Sequence, residues 1–111
     1  MQPEALKLLV DIRQALEDIR DFTSGMDFAV YRVDGKCRAA VERKFEIIGE
    51  ACARVRDRFP GIFENFETGP QIIGFRNRLI HGYDNVDAAI VWDVVASKLP
   101  TLGMQIEELM E

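Results

Sequence analysis

One histidine and two cysteines in 111 residues leave little room for a metal centre or a disulfide framework. Zinc sites draw their ligands from closely spaced clusters of Cys and His, and no Cys-x-x-Cys pair occurs here, so neither a structural nor a catalytic metal is expected. Cys37 and Cys52 fall on what reads as a single helix, about 22 Å apart along its axis, which is beyond disulfide reach. Both are expected as free thiols. No apolar run approaches the roughly 18 residues of a membrane span, and Met1-Gln2-Pro3-Glu4 has neither the basic nor the apolar region of a signal peptide. The expectation is a cytoplasmic protein with no membrane association. No repeat, low-complexity tract or linker appears, so residues 1–111 are expected to form one domain around one core.

Hydrophobic residues make up 48% of the chain and charged residues 30%, which is enough apolar material to fold and rules out the composition of a disordered segment. Nineteen acids against fourteen Lys and Arg leave a formal charge of −5, which argues against binding nucleic acid with the whole surface. Any RNA site must be a local patch, and a symmetric dimer is one way to bring two such patches together.

The apolar spacing predicts helices. Leu6, Leu9, Ile12, Leu16, Ile19 and Phe22 recur at intervals of three and four, giving an amphipathic helix from Pro3 to about Phe22 that Thr23-Ser24-Gly25 stops. Met26 to Val33 suits either a short helix or a strand, and the helix is favoured because no partner strand is visible. After Asp34-Gly35, a long helix carries Val41, Phe45, Ile48, Cys52, Val55 and Phe59 on one stripe. Arg54, Arg56 and Arg58 crowd its last turns, where the helix dipole favours cations. Pro60-Gly61 ends it, and the stretch from Pro60 to Gly69 reads as a loop pinned to the core by Ile62, Phe63 and Phe66. Thr68 and Gln71 resemble a capping box for a helix with Ile72, Phe75 and Leu79 buried, ending near Gly82. Asp84-Asn85-Val86-Asp87 offers a turn and an N-cap. Ile90, Val94 and Ala96 then mark a helix that Pro100 kinks or ends, and Leu102, Ile106 and Leu109 mark a last one from Thr101 to Met110. The expected fold class is all-α, an antiparallel up-and-down bundle of four to five helices.

The segment Phe75-Arg76-Asn77-Arg78-Leu79-Ile80-His81-Gly82-Tyr83-Asp84 carries the chemistry. It resembles the RNA-cleavage motif of HEPN proteins, an Arg followed after four to six residues by His, and more narrowly the HepT form in which a Tyr stands two places later. Ile48-Gly49-Glu50-Ala51 and Val86-Asp87 with Val91-Trp92 extend the resemblance over residues 3 to 110. The resemblance implies a HEPN-like fold and a toxin that cleaves RNA without metal or cofactor at a homodimer interface, with Arg76 and His81 catalytic. It also implies a partner, an MntA-type nucleotidyltransferase antitoxin that transfers AMP to Tyr83 and so silences the toxin.

Helix geometry adds its own expectations. At 100° per residue Asn77 and His81 sit about 40° apart, Arg76 and Tyr83 about 20° apart if the helix continues that far, and Arg76 and His81 about 140° apart. Arg76 and His81 therefore meet only if the helix end unwinds near Gly82 or the long arginine wraps round. Cleavage needs a base for the 2′-hydroxyl, an acid for the leaving oxygen and a cation for the phosphorus oxygens. Histidine suits the first two roles and arginine the third. A single His81 cannot easily serve as both, so a two-fold dimer is expected to bring two His81 and two Arg76 side chains into one cleft. Asn77 is placed to bond His81 or a phosphate, Glu50 to orient the imidazole from the neighbouring helix, and Arg78 to add phosphate affinity or merely to face solvent.

Blander readings stand beside these. His81 would otherwise be a helix-end residue bonding a free carbonyl, the arginines a solvated face, and Trp92 a core or dimer-interface anchor. Two other classes of function remain open: a noncatalytic HEPN module that docks onto a nucleotidyltransferase or binds its substrate, and a structural helical dimer with an accidental motif.

Overall fold

A computed structural model of the chain describes residues 1–81 and 86–111, with the side chains of all of these except Ile80 and His81. It is an all-α bundle with no strand among the described residues. Helix α1 (Pro3–Phe22) starts on a proline at its first position and an acid, Glu4, in its first turn, both suited to a helix N-terminus. It stops where the Thr23 hydroxyl and amide both turn back to the Ile19 carbonyl and Gly25 takes a left-handed φ of 75° that an L side chain would resist. Helix α2 (Phe28–Val33) resolves the ambiguous segment. The Asp27 carboxylate accepts from the Val30 amide at 2.9 Å, a cap that a strand would not need, and Tyr31 is buried with its ring 5.0 Å from that of Trp92.

The long helix α3 (Gly35–Arg58) is capped in the same way by Asp34, which accepts from the Cys37 amide. Val41, Phe45, Ile48, Cys52 and Val55 form its buried stripe, as the spacing predicts. Cys37 and Cys52 are both free and buried. Burial pushes the Cys52 thiol up to about 12, so it carries almost no nucleophilic thiolate near neutrality. Helices α1 and α3 run antiparallel: Glu4 pairs with Arg58 at one end of the contact, and Asp18 lies 2.9 Å from Lys44 nearer the other. Two expected core residues of α1 lie outside it, with Leu6 43% and Phe22 38% exposed. The inward arc runs instead through Ala5, Leu8, Leu9, Ile12, Ala15, Leu16 and Ile19. Alanines contribute to it because close helix approach favours small residues, which hydrophobicity alone does not reveal.

The expected loop after α3 holds one helical turn, α4 (Pro60–Phe63), with Pro60 at its first position. Phe66 behind it is fully buried, so the aromatic anchoring predicted for this stretch is present. Helix α5 (Gly69–His81) follows. Thr68 contributes its carbonyl to the first turn, accepting from the Ile72 amide. Its hydroxyl, however, reaches across the fold to donate to the Lys98 carbonyl at 3.1 Å, where a local capping box was expected. The turn residues Asp84 and Asn85 lie outside the described residues, while Asp87 caps the next helix through the Ala89 amide.

From Ala88 to Met110 the chain stays helical: α6 (Ala88–Asp93), a π-helical turn (Val94–Lys98) and α7 (Leu99–Met110). Pro100, expected to kink or end the helix, is accommodated in the first turn of α7, immediately after the wider turn. The Leu99 amide bonds back to the Val94 carbonyl, five residues away, as a π turn requires. The extra residue shifts the buried stripe, which passes through Ala88, Val91 and Val94 and resumes at Leu99, Leu102 and Ile106. That shift leaves Ala96 exposed, where a regular periodicity had placed it inside. Helix α7 runs antiparallel to α1, with Arg13 opposite Glu107 and Leu16 against Gly103. No described helix is long and apolar enough to cross a membrane.

Candidate active site

Helix α5 is held against the bundle by Ile72, Ile73, Phe75 and Leu79, all buried, and the Phe75 ring meets Phe45 of α3 edge-on at 5.1 Å. Those apolar positions fix the rotation of the helix, and Arg76 falls at the edge of the buried arc. Its aliphatic stem lies directly on Gly49 of α3. A Cβ at position 49 would stand 2.2 Å from the Arg76 Cβ and 2.5 Å from its Cγ, so only glycine admits this approach. The Arg76 Nε is buried with no hydrogen-bond partner among the described residues, while Nη1 donates to the Asn77 Oδ1 at 2.9 Å. The guanidinium is thus half sunk into the bundle and turned toward its own neighbour on the helix.

This geometry bears on the 140° separation that the spacing predicts between Arg76 and His81. Helix α5 is regular through position 81, so no unwinding before Gly82 brings the two positions together. Instead the arginine turns its fork to Asn77, which shares a helical row with position 81 one turn on. The imidazole of His81 and the whole of Tyr83 lie outside what the structure describes.

The other predicted site residues separate. Asn77 joins Arg76. The Glu50 carboxylate instead accepts from Arg54 Nη2 at 3.2 Å, one helical turn away, and borders a groove between α1 and α3 that Leu8 and Asp11 share. Arg78 projects to the opposite flank of α5 from Arg76, where it lines a groove with Gln71, Gly74, Phe75, Ile90, Val94 and Lys98. Among the described residues no cluster of three His, Cys, Asp or Glu is arranged to hold a metal ion.

Two contributors escaped the sequence reading. Gly49 was visible only as part of a shared motif, although a glycine inside a 24-residue amphipathic helix costs about 1 kcal/mol relative to alanine, and that unexplained cost is the signal of a close approach. Lys98 carried no signal at all, because its place on the same groove as Arg78 arises from the way α5 packs against the π turn.

Sequence comparison bears on this site. A family described as Ribonuclease HepT-like matches residues 12–109. The chain is 34% identical over 101 residues to a protein of Thermococcus cleftensis described as "Probable ribonuclease HepT", covering 91% of each. It is 34% identical over 108 residues to a Methanocaldococcus jannaschii protein described as "Putative RNase", covering 93% of this chain and 84% of the relative. A second protein of that organism with the same description is 32% identical over 99 residues, covering 89% and 90% respectively. No solved structure matches significantly.

Proposed function

Because the chain belongs to the HepT-like ribonuclease family, we propose that it is the toxin of a toxin–antitoxin pair, an endoribonuclease working without metal through Arg76 and His81. The observation that carries this reading is the seating of Arg76. Its stem is fixed on Gly49 and its fork is turned toward Asn77, on a helix regular to position 81. A guanidinium fixed in this way can donate to the nonbridging oxygens of a phosphodiester as charge develops there, with little reorganisation during the reaction.

The chemistry is an internal displacement. The RNA 2′-hydroxyl attacks the adjacent phosphorus, one His81 takes its proton, and the 5′-oxygen leaves with a proton from the His81 of a second copy. The products are a 2′,3′-cyclic phosphate and a free 5′-hydroxyl. With a single histidine per chain, acid and base come from two subunits across a two-fold axis. Silencing falls to Tyr83: an MntA-type nucleotidyltransferase directs its phenol oxygen onto the α-phosphorus of ATP, releasing pyrophosphate and leaving AMP two residues from His81. The added anion repels the RNA backbone at the cleft.

The test is cleavage of a labelled RNA in the presence of chelator, with identification of the product ends. We expect cyclic-phosphate ends, a loss of about 10²-fold or more in His81→Ala, and no AMP incorporation into Tyr83→Phe. RNA bound but left uncut by the native chain would replace this reading with that of a noncatalytic docking module. Full activity in a monomeric variant would remove the shared site.

A further inference from the structure

The groove on the Arg78 flank of α5 is not used by the chemistry above. Its α5 wall is formed by Gln71, Gly74 and Arg78, and its other wall by Ile90, Val94 and Lys98 across the π turn, with Phe75 at its base. The groove encloses about 340 Å³, which lies within the roughly 300–1,000 Å³ typical of small-molecule sites. Its base is apolar, since Phe75 and Val94 are buried and Ile90 stands partly exposed at the rim. Its charged members among the described residues are both cations, in a chain whose net charge is −5.

Three features show that this space is built into the fold. The Thr68 hydroxyl clamps the start of α5 to the Lys98 carbonyl, fixing the two walls relative to each other. The π turn places its first and last residues, Val94 and Lys98, on the same groove. At Gly74 a Cβ would meet nothing within 4 Å, so the glycine leaves open space where a larger side chain would stand. Gln71, Gly74 and Arg78 recur at intervals of three and four and so share one stripe of α5. The next member of that stripe is position 81, the last residue of the helix.

We propose that this groove is a substrate subsite that takes one nucleotide of the RNA strand beside the cleaved bond, the base resting on Phe75, Ile90 and Val94 and the phosphate held by Arg78 and Lys98. The proposal rests on the RNA-cleaving reading and gives that site a direction along the helix. An apolar base with a cationic rim matches what a single-stranded nucleotide presents, a flat π face and a phosphate. The pairing also explains how an acidic protein can hold RNA, through a local patch and not through its overall charge.

The experiment compares the native chain, Gly74→Phe and the double variant Arg78→Ala/Lys98→Ala. It follows cleavage of a ribo-oligonucleotide and binding of the same oligonucleotide with 2′-O-methyl groups, which cannot be cut. Gly74→Phe occupies the groove and replaces a weak helix former, so it is expected to raise KM and weaken binding, each by about tenfold. The double variant removes both cations from that one phosphate, so the plot of log binding constant against log salt should become shallower by about 0.7. This second measurement does not depend on Gly74→Phe folding. Native-like binding and cleavage in both variants would overturn the proposal. So would a change in particle mass with RNA affinity intact, which would make the groove a contact between copies of the chain. A native chain that neither binds nor cuts RNA would remove the ribonuclease reading itself, whereas RNA bound through this groove without cleavage would preserve the subsite and remove only the catalysis.

Discussion

Along its seam with α1, helix α3 sets Lys44 beside Asp18 and Arg58 beside Glu4, and between these pairs Ala51 and Leu8 border one groove. Along its seam with α5 the same helix packs Phe45 against Phe75 and then, one turn later, admits an arginine stem onto a bare glycine. The first seam follows the rules of a scaffold, with apolar contacts inside and opposite charges at the rim. The second departs from them, since a buried Nε with no described partner and a glycine inside a helix both work against stability. A fold retains such a departure where the stability lost is offset by function, which is the pattern expected at a reactive site.

Arg76→Met keeps the apolar stem and deletes the fork. Cleavage should fall by about 10²–10³-fold, the scale for removing a donor to a transition-state oxyanion. Thermal stability should hold or rise, because a buried unpaired donor goes with it. A variant that loses both activity and stability would make Arg76 an ordinary structural residue.

Gly49→Ala drives a Cβ into the Arg76 Cβ and Cγ, so α5 must move. Overpacking of this kind costs about 1–3 kcal/mol, and activity should fall with it as Arg76 is displaced. Gly103→Ala, where α7 packs on α1, places a Cβ at 3.8 Å from Leu16 Cδ1, an ordinary contact. That change should be neutral or stabilise by up to about 1 kcal/mol through helix propensity, and leave cleavage unchanged. Denaturant midpoints for the pair decide the matter, and equal effects at the two glycines would mean that the approach of Arg76 places no special demand on position 49.

Much of the scaffold was legible because helix ends are written locally. Pro3 and Asp87 each sit where a helix start needs them, whereas the Asp27 cap went unread and left Met26 to Val33 ambiguous. The stripe of α3 follows its spacing from Val41 to Val55, with Phe59 just past the helix and only partly buried. The misreadings share a cause, which is that tertiary contact overrides local pattern. Leu6 yields to Ala5 because the neighbouring helix comes close, Ala96 moves outward because the π turn shifts the phase, and the Thr68 hydroxyl prefers a distant carbonyl to its own helix. The site was legible as a linear motif, but its geometry was not. The stem of Arg76 on Gly49 and its fork turned to Asn77 follow from the packing of α5 on α3, which the spacing of the motif does not encode.

The smallest expected effect belongs to the scaffold seam and is read through pH. Lys44 donates to Asp18 and Gln14 donates to its other oxygen at 3.0 Å, which together hold the Asp18 carboxyl below its ordinary value. A carboxyl whose pKa is lower in the folded than in the unfolded chain favours folding while it is ionised. The stability it adds is therefore fully present above the unfolded value of about 3.9, and is lost as the pH falls through the lower folded value. Asp18→Asn should melt slightly below the native chain at neutral pH, with the gap closing as the pH drops below about 4. Cleavage at neutral pH should not change, because the pair lies on the seam away from Arg76. A melting difference that persisted unchanged in acid would mean that the substitution disturbs packing, and the rim charges of the α1 seam would then have no measurable part in holding the scaffold.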